Sequence, residues 1–79
     1  MWVGSRLASR MKLRERVARN LRRLRQAKGL SQDELGARAS VSRNYIGNLE
    51  REQKGATIDV LERLADVLEV DAAEFFVGG

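Results

Sequence analysis

The 79-residue chain contains no cysteine and no histidine. Without cysteine no disulfide framework can form, and without either residue the usual thiolate and imidazole ligands of zinc are missing. The same absences remove the two side chains that most often act as nucleophile or general base. The composition therefore argues against an enzyme and a metal centre, and it predicts a protein without a cofactor.

Long apolar runs are missing as well. No stretch approaches the roughly 18 apolar residues of a membrane span. The first eleven residues, MWVGSRLASRM, lack the apolar segment of a secretory signal peptide. Proline, low-complexity segments and internal repeats are also absent. We expect a soluble, cytoplasmic protein with no membrane partner, and the length predicts one domain.

Charge is distributed unevenly along the chain, whose net charge is +4. Residues 10–28 contain nine basic side chains and one acidic side chain, whereas residues 57–79 contain one basic and six acidic side chains. A basic face for phosphates, with an acidic end turned away from them, would produce this polarity. The distribution favours double-stranded DNA as the partner.

Apolar spacing predicts a first helix from residue 12 to residue 27 or 28. Its inner face is marked by residues at steps of four, four and three: Leu13, Val17, Leu21 and Leu24. Gly29 follows in the C′ position that commonly ends a helix. Residues 1–10 precede this helix and are predicted to be a flexible arm.

A fourth and a fifth helix are predicted in the C-terminal part. Thr57 caps residues 58–68. The expected inner face of that helix consists of Ile58, Leu61, Leu64, Ala65 and Leu68. Asp71 with Glu74 is a capping signature for a short fifth helix. Together with two helices in the middle of the chain, these elements predict an all-α, compact five-helix domain over residues 11–77.

Residues 31–51, SQDELGARASVSRNYIGNLER, predict two short helices joined by a tight turn. Ser31 and Glu34 form a capping box for the first, and Ser42 is the expected N-cap of the second. Gly36 is small where the two helices must approach closely. The inner side of the pair is formed by four apolar residues: Leu35, Val41, Ile46 and Leu49. This pattern is typical of a DNA-binding helix-turn-helix with its recognition helix at residues 42–51.

The recognition helix turns several polar side chains outward. Arg43 is predicted to contact a base, most naturally as a bidentate partner of guanine. Asn44 and Asn48 share the exposed face and either read adenine or bond to backbone or water. Tyr45 has three possible roles, which are a phosphate contact through its hydroxyl, contact with a thymine methyl, and cover for the edge of the core.

The segment resembles the helix-turn-helix of the Cro/phage-repressor superfamily. The stretch RNYI followed by LER is especially similar to the controller proteins of restriction–modification systems. The resemblance spans residues 13–76. It implies that Gln32 contacts a phosphate and that Arg25 and Glu50 form a partly buried structural ion pair. Ser40 departs from the family, which often has glycine at this turn position, where a positive φ strains other residues.

The remaining candidates for the DNA backbone lie around the motif. Gln32 and Ser42 are phosphate-contacting or capping groups, while Arg51 and Lys54 are general electrostatic candidates. The resemblance implies a sequence-specific DNA-binding transcriptional regulator, and controllers typically bind their own promoter. The alternative is an antitoxin-type protein-interaction module that also binds DNA, and the neighbouring gene would distinguish the two. No motif indicates a small-molecule ligand.

One helix-turn-helix of this size reads too few base pairs for useful specificity in a genome. A homodimer would instead read a pseudo-palindromic operator, with half-sites about one helical turn apart. The acidic C-terminal part is the predicted dimer surface because it carries more apolar residues than one small core needs. These residues are Val60, Val67, Val70, Phe75, Phe76 and Val77.

Overall fold

The computed structural model describes residues 12–78. The elements in chain order are α1 (Leu13–Ala27), α2 (Gln32–Ala39), α3 (Arg43–Glu50), α4 (Ile58–Leu68) and a 3-10 helix, η1 (Ala72–Phe76). No strand occurs among the described residues. The prediction of an all-α protein with a helix-turn-helix, formed by α2 and α3, is therefore confirmed. The predicted arm at residues 1–10 lies outside the described part.

The predicted fifth α-helix is instead the 3-10 helix η1. Asp71 Oδ1 accepts a hydrogen bond from the Ala73 N–H at 2.8 Å, and the Asp71 carbonyl accepts one from the Glu74 N–H at 2.9 Å. The second bond spans three positions, which is the i→i+3 pattern of a 3-10 helix, and such helices are used in short pieces. The capping signature correctly marks a helical start but not the type of helix. The domain thus has four α-helices and one 3-10 helix.

The predicted helix starts are confirmed at atomic detail. Ser31 Oγ accepts a hydrogen bond from the Glu34 N–H at 3.0 Å, and the Ser31 N–H donates to Glu34 Oε1 at 2.8 Å. These bonds from Ser31 hold the pKa of Glu34 below its ordinary value. Ser42 Oγ and Thr57 Oγ1 each accept from the backbone N–H three residues on, at 3.0 and 3.1 Å. All three caps satisfy N–H groups that would otherwise lack a helical partner.

The four α-helices end in one common way. Each is followed by a residue with positive φ, and these are Gly29 (76°), Ser40 (60°), Glu52 (63°) and Glu69 (59°). The N–H of the next residue then donates to a carbonyl five positions back, at 2.9–3.1 Å. This is the Schellman closure, in which glycine is favoured because it has no Cβ. Only the first of the four positions is glycine, so three side chains occupy left-handed backbone.

The hydrophobic core is drawn from every element. Its fully buried large side chains are Leu21, Leu35, Ile46, Leu64 and Phe75. Two residues of the predicted inner faces are exposed instead, Leu13 to 64% and Ile58 to 77%. Each is the first residue of its helix, and a helical side chain leans toward the N-terminus. These two side chains therefore extend past the end of the packed interface.

Gly36 allows the close approach of α2 and α3, as the sequence predicts. A Cβ at this position would stand 2.7 Å from the carbonyl oxygen of Val41 and 3.2 Å from the backbone nitrogen of Arg43. Both neighbours are backbone atoms of the turn, so they cannot rotate away. The tight turn therefore depends on glycine here for space, and its φ is not left-handed.

Candidate nucleic-acid interface

Helix α3 presents a polar outer surface beside a buried inner one. Ile46 and Leu49 are buried, whereas Arg43 and Asn44 are exposed. A shallow concavity of about 330 Å³ runs along the outer side and is lined by Gln32, Arg43, Asn44, Gly47 and Arg51. Four of these five residues carry side-chain hydrogen-bonding groups. The structure thus brings several of the predicted DNA-contacting residues to one surface.

The end of α3 is anchored to α1 through a buried carboxylate. Arg25 Nε donates to Glu50 Oε2 at 2.6 Å, and Arg25 Nη2 donates to Glu50 Oε1 at 2.9 Å. Arg25 Nη1 also donates to the carbonyl of Leu30 at 2.9 Å. The Glu50 side chain is fully buried, and that of Arg25 is 12% exposed. This bidentate pair fixes the recognition helix against the body of the protein.

Two further donors reach the same carboxylate. Gln32 Nε2 donates to Glu50 Oε1 at 3.1 Å, and Arg22 Nε lies 3.5 Å from that oxygen. Burial would raise the pKa of Glu50, but the hydrogen bonds from Arg25 and Gln32 outweigh it and the pKa is lowered. The bond to Glu50 raises the pKa of Arg25 in turn. The carboxylate is therefore ionised and held by both α1 and α2.

Sequence reasoning missed the partners that Gln32 and Arg22 find at Glu50. The family resemblance suggests only a phosphate contact for Gln32. In the free protein its amide is already committed to Glu50, at the edge of the outer concavity. The signal for Arg22 is its spacing, since it lies three residues before Arg25 on the same side of α1.

The remaining candidates lie around the outer surface of α3. Ser42 is exposed and caps the helix through Oγ. Tyr45 is half-buried against the core, and Lys54 Nζ lies 5.7 Å from the centre of its ring. Asn48 is half-buried, and its Oδ1 accepts a hydrogen bond from Arg51 Nη2 at 2.8 Å. Asn48 and Arg51 thus form one unit on the surface.

The six apolar residues predicted for the dimer surface are divided by the structure. Val60 is 8% exposed and Phe75 is fully buried, so both belong to the core of the protomer and cannot line an exposed surface. Val67 and Val70 are half-buried and pack against the core. Phe76 and Val77 are exposed to 39% and 42%. Helical spacing does not predict which residues of η1 are buried and which are exposed, because the contact of η1 with α1 determines their burial.

Phe76 shares an open apolar cleft of about 230 Å³ with the two exposed helix-start residues, Leu13 and Ile58. Val17, Leu49 and Leu61 form part of its floor. The cleft and the outer concavity of α3 have no lining residue in common. The protein therefore has a polar surface and an apolar surface at different places.

Other kinds of site lack support in the described part of the chain. Residues 12–78 contain no group of three or more acidic, histidine or cysteine side chains placed to hold a metal ion. None of the described helices is both long enough and apolar enough to cross a membrane.

The fold and the outer surface of α3 define a helix-turn-helix DNA-binding protein. The helix-turn-helix family model matches residues 21–75, and the chain belongs to this family. An uncharacterised HTH-type transcriptional regulator of Sinorhizobium fredii is 41% identical over 64 residues, which cover 81% of this chain and 83% of that protein. The prediction of a helix-turn-helix transcriptional regulator is thus confirmed.

Two restriction–modification proteins are also similar. The control protein C.SmaI of Serratia marcescens is 36% identical over 58 residues, covering 73% of this chain and 69% of that protein. The crystal structure of the restriction–modification controller protein C.AhdI from Aeromonas hydrophila matches with a TM-score of 0.77 and 35% identity, covering 80% of this chain and 96% of that one. The resemblance to controller proteins is therefore confirmed as well.

Proposed function

We propose that the protein is a controller of the restriction–modification type that binds a pseudo-palindromic operator as a homodimer, with α3 in the major groove. The observation that carries this proposal is the outer concavity of α3, where exposed Arg43 and Asn44 stand beside Gly47 and Arg51. Support for the controller class comes from the likeness to C.SmaI and C.AhdI.

Different residues of α3 and its surroundings would contact the DNA bases and the DNA backbone. Arg43 and Asn44 lie in the first turn of the helix, where recognition helices commonly meet base edges. The Arg43 guanidinium would donate to O6 and N7 of guanine, and the Asn44 amide suits N6 and N7 of adenine. Ser42 and Tyr45 flank these groups and would meet the DNA backbone, whereas Lys54 lines the apolar cleft on the other side of Tyr45. The structural pair of Arg25 and Glu50 would keep α3 at a fixed angle to the groove.

The dimer surface is assigned to the apolar cleft around Leu13, Ile58 and Phe76. Exposed large apolar side chains that share one cleft are a common mark of an interaction surface. A second copy, related by a two-fold axis, would cover this cleft with the same surface of its own. Because the cleft is separate from the outer surface of α3, both recognition helices would stay free to bind DNA.

Footprinting on the DNA upstream of the chain's own gene tests the proposal. We expect protection of a palindrome whose half-sites are about 10 base pairs apart, centre to centre. Arg43→Ala should weaken binding to it by about 1–3 kcal/mol and relax the preference at one base pair of each half-site. Arg63→Ala is the matched control, because Arg63 is an exposed arginine on α4.

The salt dependence adds an independent criterion. The logarithm of the binding constant should fall with the logarithm of salt concentration, by about 0.9 for each phosphate neutralised. Absence of protection and a slope near zero would refute the proposal. Protection upstream of a toxin gene, with no restriction enzyme or methyltransferase nearby, would favour the antitoxin class instead.

A further inference from the structure

A gap in the outer surface of α3 is filled by Arg51. Gly47 lines the same concavity as Arg43 and Asn44 but has no side chain. The space above it is taken by the Arg51 guanidinium, since a Cβ on Gly47 would stand 3.0 Å from Nη1 and 3.5 Å from Nη2. Arg51 comes just after α3, so its side chain folds back along the helix to reach this place. The guanidinium lies on the surface that would face DNA.

Asn48 fixes the guanidinium there. Its Oδ1 accepts the hydrogen bond from Arg51 Nη2 at 2.8 Å. An asparagine that reads adenine offers both its amide oxygen and its amide nitrogen to the base. In this structure the Asn48 oxygen already accepts one bond, from Arg51, and the amide is oriented by it. The arrangement therefore suits Asn48 better as a support for Arg51 than as a reader of adenine.

The charge and the spare donors of Arg51 remain available. The side chain is exposed, and no carboxylate of residues 12–78 lies within 4.0 Å of it. Its Nε and Nη1 donate no hydrogen bond within the described part of the chain. Nε and Nη1 lie on different edges of the guanidinium, but either one forms a fork with the second N–H of Nη2. Such a fork, held in a fixed plane, matches the paired acceptors O6 and N7 of guanine.

We propose that Arg51 is a specificity-determining residue that reads a guanine in the major groove, and that Asn48 is the positioning residue for it. The inference rests on the proposed function and assigns a second arginine to base recognition. Gly47 also contributes, because its missing side chain leaves room for the Arg51 guanidinium. Arg43 and Arg51 would then read two different G·C pairs of the same half-site.

Selection of binding sites from a random duplex library, with the purified full chain, tests this assignment. Arg51→Ala should lose the preference for G·C at one position of each half-site, a different position from the one lost in Arg43→Ala. Affinity for the wild-type consensus should fall about ten- to a hundredfold. Arg51→Lys keeps the charge but not the planar fork, so it should lose the same preference.

Two variants test the parts played by the neighbours. Asn48→Ala should relax the same position as Arg51→Ala, and the double variant should lose little more. Gly47→Ala would place its methyl group 3.0 Å from Nη1, so the guanidinium must shift by only a few tenths of an ångström and the preference at that position should weaken less than in Asn48→Ala. Far-ultraviolet circular dichroism of each variant checks that the helices are retained.

Opposite results would overturn the assignment. If Arg51→Ala keeps the full consensus, weakens all sequences equally and lowers the salt slope by about 0.9, then Arg51 contacts a phosphate. If Asn48→Ala instead loses an A·T preference at a separate position, then Asn48 reads its own base. A wild-type protein that selects no consensus would refute the proposed function itself, and would be seen before any variant is compared.

Discussion

The guanidinium of Arg25 binds both carboxylate oxygens of Glu50, with Nε–Oε2 and Nη2–Oε1 distances of 2.6 and 2.9 Å. The contact joins the last turn of α1 to the last residue of the recognition helix. Because the Glu50 side chain is fully buried, water cannot replace a lost partner. The orientation of α3 therefore depends on this pair.

Arg25→Ala should destabilise the fold by about 3–5 kcal/mol, because it leaves a buried carboxylate without its main partner. Urea denaturation of Arg25→Ala, Glu50→Ala and the double variant gives the coupling energy. Arg23→Ala is the control, because the Arg23–Glu74 pair is half-exposed at 4.0 Å and should contribute little. Additive effects of Arg25→Ala and Glu50→Ala would contradict a structural coupling.

Acid should destabilise the protein through Glu50. Burial opposes ionisation, but the bonds from Arg25 and Gln32 prevail, so the folded-state pKa lies below the ordinary value of about 4.3. A carboxyl with a lowered pKa stabilises the fold above its unfolded-state pKa, and this contribution is lost as the pH falls through the folded-state pKa.

The free energy of unfolding, measured between about pH 6 and 3, should therefore fall less steeply in Glu50→Gln than in the wild type. Glu34→Gln is a useful comparison, because the pKa of Glu34 is also lowered, by the bonds from Ser31, but its side chain is exposed. An unchanged pH profile in Glu50→Gln would show that this carboxyl does not link folding to protons.

The parts of the fold that sequence predicts well are those with local signals. The bounds of α2 and α4 follow from Ser31 and Thr57, which accept hydrogen bonds from the next turn. The space restriction at Gly36 is equally local, since the atoms that need the room belong to the next few residues. The helix-turn-helix can therefore be predicted from the amino-acid sequence alone.

The features of the fold and the site that the sequence does not predict depend on contacts between residues far apart in the chain. Phe75 and Phe76 are neighbours in sequence, yet only Phe75 reaches the core, because the Phe75 carbonyl is held against α1 by Asn20. Similarly, no local pattern shows that Gln32 bonds to Glu50, 18 positions away. Such long-range pairings decide which C-terminal residues are buried. They also decide which hydrogen-bond partners the polar side chains of the site have.

Ser40→Gly should stabilise the fold. Ser40 has φ 60° at the turn between α2 and α3, where a Cβ is crowded by the backbone. Relief of this strain, less the greater freedom of glycine in the unfolded chain, should leave a gain of about 0.5–1 kcal/mol. Gly29→Ala is the inverse control at the end of α1 and should destabilise, since its φ is 76°. Thermal denaturation of both variants measures these changes in stability. A loss of stability in Ser40→Gly would show that the backbone at Ser40 is not strained.

Asn20 should prove important for the placement of η1. Its Nδ2 donates to the carbonyls of Phe75 and Val77, each at 2.9 Å, and the residue is only 3% exposed. Asn20→Ala leaves the buried Phe75 carbonyl without this partner, at a cost of about 1–3 kcal/mol. Hydrogen exchange should then accelerate in residues 72–77 more than in α2. Equal protection of both segments in the variant would show that Asn20 does not hold η1.

Ile58→Lys should dissociate the proposed dimer. Ile58 is the most exposed of the large apolar side chains of the described part, and it lines the cleft with Leu13 and Phe76. A charge there would have to be buried between two protomers without a partner, which is strongly unfavourable. Because the side chain is exposed in the single protomer, the helical circular dichroism should not change.

Analytical ultracentrifugation at micromolar concentration should therefore find the wild type dimeric and Ile58→Lys monomeric. Glu62→Lys is the matched control, since it also adds a lysine to an exposed position of α4 but does not line the cleft. On a two-half-site operator, Ile58→Lys should lose affinity, while its binding to a single half-site should match that of the wild-type protomer. If Ile58→Lys remains dimeric, the cleft is not the interface, and a wild type that stays monomeric even on operator DNA would rule out the two-fold arrangement altogether.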